Sequence, residues 1–489
     1  MRKKKMEMLF IHPPARIKNS KHTLDADVGF TDQFVSFPVG FFSMGDKLDR
    51  AGFEVKIMNL GEMIFVKRQS IDYFLEELFA KYEIEVVGID IHWMIHSAGA
   101  LATAKSIKKY SPLTKVVIGG ITASYFAEEI LEKFDFIDFV MVGECDNSIV
   151  DLVKELKMNA PDLNRVPNLA FRENGKIEKN PVKLPEISES LEILRYDLLM
   201  EEPVINPDRS IITLDRGCRR NCCFCSGAKE SFGYIMKRKK PCCLKPSAII
   251  RLIEKSSEMN RDKIYLYGDI RLYGKAYVEH FFRELNRSKI ANVHLVIEFF
   301  TLADEDFVRQ WKTWAVRSGS TLEATHSPES GNQQVRRIVG KNYTNQQLLE
   351  HCKLLVEYDI PQSIYLLLGL PGQSKATIEE TLKLADKIVE IYASKFSRND
   401  LRHEVVSFNF MQIPDAGSNL FRNPEAFGFH IDFKNIETLV HRITAASNWS
   451  DSVSFFTDNL SKQEFIHMYL YIRDTILKIY SKYRILPLQ

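Results

Sequence analysis

Residues 1–155 alternate short apolar runs with amphipathic segments. The segment SIDYFLEELFAKY, for example, places its apolar residues near i, i+3 and i+4, which is the spacing of one helix face. The intervening runs are rich in β-branched and other apolar residues and read as strands: MEMLFIHPP, EVKIMNLG, VVGIDIHW, KVVIGG and FVMVGE. Five strands alternating with helices predict a doubly wound, Rossmann-like parallel sheet whose ligand lies at the carboxyl ends of the strands.

A second alternation begins at Ser210. Its strands are SIITLDRG, KIYLYGDI, NVHLVIEFF, STLEATHS, SIYLLLGLPG and EVVSFNFMQIP, with amphipathic segments between them. Six strand and helix units are two short of a complete eightfold barrel. The pattern therefore predicts an open, partial (β/α)6 barrel with its active-site groups at the carboxyl ends of the strands.

The two remaining segments lack such alternation. Residues 156–209 carry six prolines and an Asn174-Gly175 turn, which predict a hairpin and a linker between domains. Residues 421–489 contain aromatic and basic helical segments without recognisable chemistry. We therefore divide the α/β chain into domains at 1–155 and 210–420, with the linker between them and a mostly helical carboxyl-terminal region.

Composition narrows the choice of partners. The net charge of +2 is spread over 66 basic and 64 acidic residues, so it provides no electrostatic footprint for nucleic acid or for an anionic membrane. No stretch approaches the roughly 18 uninterrupted apolar residues of a membrane helix. The apolar run after the basic start MRKKK is too short for a signal peptide. We expect a cytoplasmic protein that binds neither nucleic acid nor a membrane.

Four of the eight cysteines crowd into RGCRRNCCFCSG, directly after the first barrel strand. Such crowding favours a metal site over disulfides in an intracellular chain. Cys218, Cys222 and Cys225 have the spacing C-x3-C-x2-C, and three thiolates on one loop can hold three corners of a 4Fe-4S cluster while one iron stays open. Cys223 would point away from a cluster held by its neighbours.

A structural zinc ion is the alternative. Closed zinc sites take four ligands, and Cys242 or Cys243 could complete the set.

The cysteine motif and the partial-barrel order resemble the radical S-adenosylmethionine (SAM) superfamily over residues 210–415. In that family the amino and carboxylate groups of SAM chelate the open iron before reductive cleavage to a 5′-deoxyadenosyl radical, with an electron from a donor such as flavodoxin or ferredoxin. The resemblance implies SAM contacts at Phe224, Tyr267, Gly268, Asp269, Ser327, Glu329, Arg336, Lys341 and Gly369.

The second barrel strand departs from the family pattern. It ends in Tyr267-Gly268-Asp269, where the family often has Gly-Gly-Glu and uses the glutamate to hold the SAM amino group. Asp269 keeps a carboxylate but is one methylene shorter. The amino contact is therefore expected from Asp269 or from a backbone carbonyl of this turn.

The fourth strand ends in HSPESG, which resembles a subgroup motif near the SAM ribose and carboxylate. Ser327 and Glu329 are the candidates, with Arg336 or Lys341 pairing the SAM carboxylate. The same letters also fit a helix start, with Ser327 or Ser330 as the N-cap and Glu329 favoured by the helix dipole. Both interpretations can hold. GLPG, which contains Gly369, resembles the adenine-contacting strand and also fits a simple Pro-Gly turn.

The first domain resembles the cobalamin-binding domain that precedes the barrel in one class of radical SAM enzymes. HPPAR, GIDIHW, VVIGGITASYF and VGE carry the resemblance. Gly119 and Gly120 would let the backbone approach a flat macrocycle closely. A dinucleotide ligand is disfavoured, because no G-x-G-x-x-G follows the first strand. The resemblance implies cobalamin contacts at His12, Pro13, His92, Trp93, Gly119, Gly120, Thr122, Gly143 and Glu144.

We expect cobalt without an axial histidine. Cobalamin domains that supply such a histidine carry D-x-H-x-x-G after the first strand, where this chain has HPPAR. Asp90-Ile91-His92 follows the third strand and lacks the glycine. His92, Trp93 and His96 either line the crevice or pack within it.

These resemblances imply a cobalamin-dependent radical SAM methyltransferase. It would move a methyl group from methylcobalamin to an unactivated carbon of a small-molecule or peptide substrate. Related enzymes cyclise or rearrange rings without methyl transfer, and no sequence feature separates these outcomes. A methylthiotransferase would need three cysteines in the first domain, which has only Cys145, and a non-catalytic cobalamin or iron-sulfur sensor would not need the SAM motifs. Both domains are expected to face each other through the carboxyl ends of their strands, with the corrin as a lid over the barrel mouth.

Overall fold

A computed structural model describes residues 3–15, 39–186, 191–201, 203–396, 405–446 and 449–484. Both predicted alternations form parallel sheets, so the predicted α/β class with two sheets is confirmed.

The first sheet has seven strands in the order β2-β1-β3-β4-β5-β6-β7. These are β1 (Lys4–His12), β2 (Val55–Asn59), β3 (Tyr82–Asp90), β4 (Lys115–Gly119), β5 (Phe139–Met141), β6 (Leu169–Glu173) and β7 (Lys176–Lys179). The first five are parallel. The chain leaves β1 toward β2 on one side and toward β3 on the other, so the carboxyl ends of β1 and β3 form the topological switch point at which doubly wound sheets bind ligands.

Helices cover both faces of this sheet. They are α1 (Gly40–Arg50), α2 (Leu60–Lys67), α3 (Ile71–Lys81), α4 (Ser97–Tyr110), α5 (Ile121–Tyr125), α6 (Ala127–Lys133) and α7 (Ser148–Leu156). Local chemistry sets several of their ends; Ser70, for example, accepts a hydrogen bond from the Tyr73 amide and caps α3. The segment VSFPVGFFSMGDKLDRAG, residues 35–52, is predicted from its pattern to be a helix that ends on Gly52. In the structure this helix begins at Gly40, and residues 35–38 lie outside the described residues.

The predicted Asn174-Gly175 turn forms a hairpin. Both residues have positive φ, at 51° and 77°, as a two-residue hairpin turn requires. Strand β6 pairs antiparallel with β5, so the hairpin extends the first sheet rather than acting only as a connection.

The second sheet has six parallel strands in the order β15-β14-β13-β12-β11-β8. A two-residue pair, β9 (Asp215–Arg216) with β10 (Cys242–Cys243), lies beside it. The six strands are β8 (Arg209–Thr213), β11 (Lys263–Tyr267), β12 (His294–Phe299), β13 (Thr321–Glu329), β14 (Gln362–Leu368) and β15 (Val406–Phe410). The helices are α8 (Lys229–Ile235), α9 (Pro246–Glu258), α10 (Lys275–Arg287), α11 (Glu305–Ser318), α12 (Gln333–Ile338), α13 (Asn345–Glu357) and α14 (Lys375–Ala393).

Alternation along the barrel strands separates core from lumen. In β11 and β12, Ile264, Leu266 and Ile297 are buried in the core that the helices cover. Tyr265 and Glu298 occupy the alternate positions and therefore face the inside of the partial barrel. The inner surface of the partial barrel is therefore polar at Tyr265 and Glu298.

The carboxyl-terminal residues form α15 (Asn419–Arg422), α16 (Ile436–Ala445), α17 (Lys462–Lys482) and a small antiparallel pair, β16 (Phe429–Ile431) with β17 (Phe455–Thr457). Helix α17 lies along the edge strand β15. There the Tyr480 hydroxyl accepts a hydrogen bond from the Val406 amide at 2.8 Å, so the helix covers a strand edge that would otherwise be open. Among the described residues, no helix combines the length and apolarity that crossing a membrane requires.

The two sheets face each other through the carboxyl ends of their strands, as predicted. Helix α5, which follows β4, packs against α8, which follows the cysteine loop. Ile121 joins Phe232, Ile235 and Met236 in one apolar cluster across this interface.

Candidate active site

The cysteine loop, residues 217–228, lies between β9 and α8. Hydrogen bonds between its own backbone groups hold its two ends together. The Cys218 amide donates to the Gly227 carbonyl at 3.0 Å, and the Cys225 amide donates to the Cys222 carbonyl at 3.3 Å. Burial raises the pKa of Cys225, and negative charge on Asp415, Cys222 and Cys218 raises it further. Three thiolates grouped on one loop fit a cluster that each of them holds at a different iron.

The fourth cysteine of the motif points elsewhere. Cys223 is 5% exposed and packs with Val335, Val339 and Leu370. It therefore occupies an apolar pocket, in agreement with the prediction that it points away from its neighbours.

The geometry gives no support to the zinc alternative. Cys242 and Cys243 pair with Arg216 and Asp215 in the short strands β10 and β9. In the part of the chain that the structure describes, no three His, Cys, Asp or Glu side chains converge as ligands of a single metal ion.

Asp269 of the Tyr267-Gly268-Asp269 turn forms hydrogen bonds within the protein, and its contact with SAM stays a prediction. The Asp269 carboxylate accepts two hydrogen bonds from the Arg271 guanidinium, at 2.9 and 2.6 Å, and one from the Phe300 amide at 3.0 Å. It is 1% exposed and serves as the cap of a short helix, so its oxygens are already used. The alternative acceptor for the SAM amino group is a backbone carbonyl of this turn. The carbonyl of Tyr267 already accepts one hydrogen bond, from the Leu214 amide.

The predicted HSPESG residues come together around a buried ion pair. Lys341 Nζ lies 2.9 Å from Glu329 Oε1 and also donates to the Ser327 carbonyl. Glu329 sits at a register shift of β13 with φ 68°, a strained conformation for a residue other than glycine. Burial raises the pKa of Cys222, and the Lys341 charge opposes that rise, so the charge of this pair acts on the cysteine loop.

A helix does start after this segment, but neither Ser327 nor Ser330 is its N-cap. Asn332 is the N-cap of α12, since its side chain accepts from the Gln334 and Val335 amides at 3.0 Å. Ser330 instead accepts from the Asn332 amide.

Arg336 is fully buried over the ring of Tyr343 and donates to Asn345. Its Nε and Nη1 have no hydrogen-bond partner among the described residues. Its assignment to the SAM carboxylate stays a prediction, as does that of Lys341, whose charge acts on Cys222 together with that of Arg220.

Phe224 and Gly369 border the same region. Phe224 is half-buried against the Cys223 cluster. Gly369 has φ 103°, and a Cβ there would lie 2.8 Å from the Phe455 ring, so close packing alone requires a glycine. Their contacts with SAM remain predictions.

A buried histidine–aspartate hydrogen bond lies at the carboxyl ends of β1 and β3, where the cobalamin crevice is expected. His12 Nδ1 lies 2.9 Å from Asp90 Oδ1, at the switch point between β1 and β3, and both side chains are almost inaccessible. The His12 ring packs edge-on against His96 at 4.9 Å. His92 and Trp93 are half-buried at the rim. The partly exposed side chains of His92 and Trp93 can contact a ligand, whereas the His12 side chain is buried.

Two loops of this crevice are held together by glycine and threonine. A Cβ on Gly120 would lie 2.7 Å from the Ile91 carbonyl, so the glycine permits close approach of the two backbones. Thr122 donates its hydroxyl to the His92 carbonyl at 2.9 Å. Gly119 is half-buried, and a Cβ there would make only ordinary contacts with Met141, so its role beside cobalamin stays a prediction.

The remaining predicted cobalamin residues have structural partners. Pro13 is buried, and its carbonyl lies 3.1 Å from where a Cβ on Gly61 would be. Gly143 adopts φ 81°, and its amide donates to Ser124 at 2.9 Å.

Glu144, a predicted cobalamin contact, forms an ion pair with an arginine of the other domain, and its contact with cobalamin stays a prediction. Its carboxylate is inaccessible and accepts two hydrogen bonds from Arg238, at 2.6 and 2.7 Å. Nearby, the Asp146 carboxylate accepts a hydrogen bond at 3.0 Å from Arg216. Arg216 lies two residues before Cys218. These pairs join the carboxyl end of β5 to the cysteine loop.

Sequence reasoning missed Arg216, Arg238, Asp146 and also Glu298. Glu298 accepts a hydrogen bond from the Gly268 amide at 3.0 Å, and burial raises its pKa to about 8. The available signal was a single carboxylate in the otherwise apolar strand NVHLVIEFF.

The buried position of His12 makes the axial-ligand prediction testable. Hydroxocobalamin is expected to bind without coordination by His12 or His92, because the His12 side chain is almost inaccessible and packs against His96, and because neither histidine lies in a D-x-H-x-x-G pattern. In the reduced Co(II) spectrum, any axial nitrogen coupling should be unchanged by His12→Ala or His92→Ala. A nitrogen coupling that disappears in either variant would contradict the prediction.

Family models match both parts of the chain. The radical SAM superfamily matches residues 212–385, and the B12 binding domain matches residues 27–153.

Relatives with assigned names are distant. An uncharacterized methyltransferase, PH0819, of Pyrococcus horikoshii is 24% identical over 65% of this chain and 68% of its own length. A tRNA-2-methylthio-N(6)-dimethylallyladenosine synthase of Sulfurihydrogenibium is 25% identical over 61% of this chain and 63% of its own length. An anaerobic magnesium-protoporphyrin IX monomethyl ester cyclase of Rubrivivax gelatinosus is 23% identical over 78% of this chain and 65% of its own length.

Solved structures share the whole architecture. The radical SAM methyltransferase TsrM of Kitasatospora setae, with cobalamin and a [4Fe-4S] cluster bound, superposes with a TM-score of 0.67 at 13% identity, covering 98% of this chain and 91% of TsrM. The cobalamin-dependent enzyme OxsB, with aqua-cobalamin bound, superposes with a TM-score of 0.56 at 12% identity, covering 96% of this chain and 62% of OxsB. With a radical SAM domain joined to a B12-binding domain in this architecture, the chain belongs to the cobalamin-dependent radical SAM enzymes, whose cofactors are a 4Fe-4S cluster, SAM and cobalamin.

Proposed function

We propose that this enzyme transfers a methyl group to an unactivated carbon of a small-molecule or peptide substrate. The observation that carries the proposal is the meeting of α5 and α8, which brings the carboxyl ends of both sheets to one interface. A methyl donor and a substrate radical must meet at close range, and this arrangement supports such a meeting.

The bound cofactors would supply a 5′-deoxyadenosyl radical at the cluster and a methyl group at cobalt. Cys218, Cys222 and Cys225 would hold the cluster, and Lys341 would orient the SAM carboxylate. The apolar contacts between α5 and α8 would exclude water from the shared space. A cytoplasmic donor such as flavodoxin or ferredoxin would supply the electron.

Relatives favour methyl transfer without deciding it. The names of PH0819 and TsrM support it, whereas the Rubrivivax relative supports a second candidate, a cyclase or ring-rearranging enzyme. A methylthiotransferase is disfavoured, because the first domain has Cys145 as its only cysteine, too few for a second cluster.

Label transfer separates these reactions. Reduced, cobalamin-loaded enzyme is incubated with candidate extracts and SAM that carries a deuterated methyl group, and the products are analysed by mass spectrometry. Methyl transfer predicts labelled product together with 5′-deoxyadenosine, and neither in a Cys222→Ala control. Cleavage of SAM with an unlabelled, dehydrogenated or rearranged product would replace the proposal with the cyclase, and absence of SAM cleavage would contradict both.

A further inference from the structure

Two carboxylates near the cysteine loop already have cationic partners: Asp269 lies 2.6 Å from Arg271, and Glu329 lies 2.9 Å from Lys341. An incoming ammonium group would have to displace the cation from either of them. Asp215 and Asp415 accept hydrogen bonds from neutral donors, the Tyr273 hydroxyl at 2.5 Å and the Ser226 amide at 3.1 Å. The SAM amino group is therefore expected to use a carboxylate without a cationic partner.

Glu298 has the properties of that acceptor. Its position in β12 alternates with buried Ile297 and Phe299, so its side chain projects into the lumen. One carboxylate oxygen, Oε2, accepts from the Gly268 amide at 3.0 Å. Among the described residues, no lysine, arginine or histidine forms an ion pair with it.

The location of Glu298 matches the place where SAM is expected. Gly268 is the central residue of the turn that the family uses for the SAM amino group, so Glu298 lies against that turn from the neighbouring strand. Tyr267 is 51% exposed beside it. Negative charge on Glu298 raises the pKa of Tyr267. The bond to the Gly268 amide therefore places the Glu298 carboxylate at this turn.

We propose that Glu298 accepts the SAM amino group and so replaces the glutamate that this chain lacks at Asp269. The contact would be a charge-assisted hydrogen bond between an ammonium group and a carboxylate. Burial alone disfavours the charged carboxylate, and a bound ammonium group would restore its ionisation. The proposal depends on SAM binding and is independent of whether the enzyme transfers methyl groups.

Ligand binding tests this directly. S-adenosylhomocysteine and its deamino analogue, which lacks only the amino group, are titrated into cluster-reconstituted protein by calorimetry. Glu298→Gln is expected to weaken binding of S-adenosylhomocysteine about tenfold or more and to leave the deamino analogue unchanged. Glu298→Asp, which keeps the charge but shortens the reach, should fall between wild type and Glu298→Gln.

Glu323→Gln is the matched control. Glu323 also lies on the lumen side of a barrel strand but bonds Ser363 at 3.2 Å, so this variant should keep the wild-type preference for the amino ligand. Iron content and thermal unfolding verify that each variant is folded. The proposal is overturned if Glu298→Gln binds S-adenosylhomocysteine as wild type does, or if it loses affinity equally for both ligands. If Glu298→Gln does not fold, an unchanged ligand preference in Glu298→Asp overturns it.

Discussion

Replacement of Cys218, Cys222 or Cys225 by alanine is expected to reduce the iron content of anaerobically reconstituted protein from about four atoms per chain to near zero. Each thiolate would anchor a different iron, so removal of one would leave the cluster with two protein ligands and an additional open corner. Iron and sulfide determination, together with the visible absorption of the cluster, measures this effect. Loss of SAM cleavage should accompany loss of iron.

Cys223→Ala is the matched control within the same motif. Its side chain packs with Val335, Val339 and Leu370, so the substitution should cost about 1 kcal/mol of stability through lost packing and leave the iron content unchanged. Full iron content in Cys222→Ala, or tetrahedral zinc in the native protein, would refute the cluster assignment.

Arg238→Ala is expected to destabilise the domain interface by about 3 kcal/mol, because it leaves the inaccessible Glu144 carboxylate without its bidentate partner. Chemical denaturation should show this loss. Since the cysteine loop keeps its own backbone contacts, SAM cleavage should persist while label transfer to product falls. A separation of the two activities would indicate that the pair positions the domains.

Arg251→Ala serves as the control for this pair. Arg251 bonds Glu192 at 2.6 Å on the surface, with 60% of its side chain exposed, so its loss should cost less than about 1 kcal/mol. Equal, small effects of Arg238→Ala and Arg251→Ala would show that the Glu144 pair does not hold the interface.

The sequence by itself determined the two parallel sheets, the hairpin turn and the cysteine site, because each depends on neighbours in the chain. Strand and helix periodicity records which side of an element is buried. The Asn174-Gly175 turn requires only that two adjacent residues adopt positive φ. The cysteine spacing places three thiols on one loop whatever the rest of the chain does.

Only the tertiary structure decided which polar groups remain available for ligands. Asp269 and Glu144 have the residue type that their predicted roles need, but Asp269 is occupied by Arg271 and Phe300, and Glu144 by Arg238, 94 residues away along the chain. Glu298 lies 30 residues from Gly268 and reaches it only because β11 and β12 pair in register. A carboxylate in a buried site forms its bonds with whatever donor the packed strands bring near it, and the chain sequence does not encode that proximity locally.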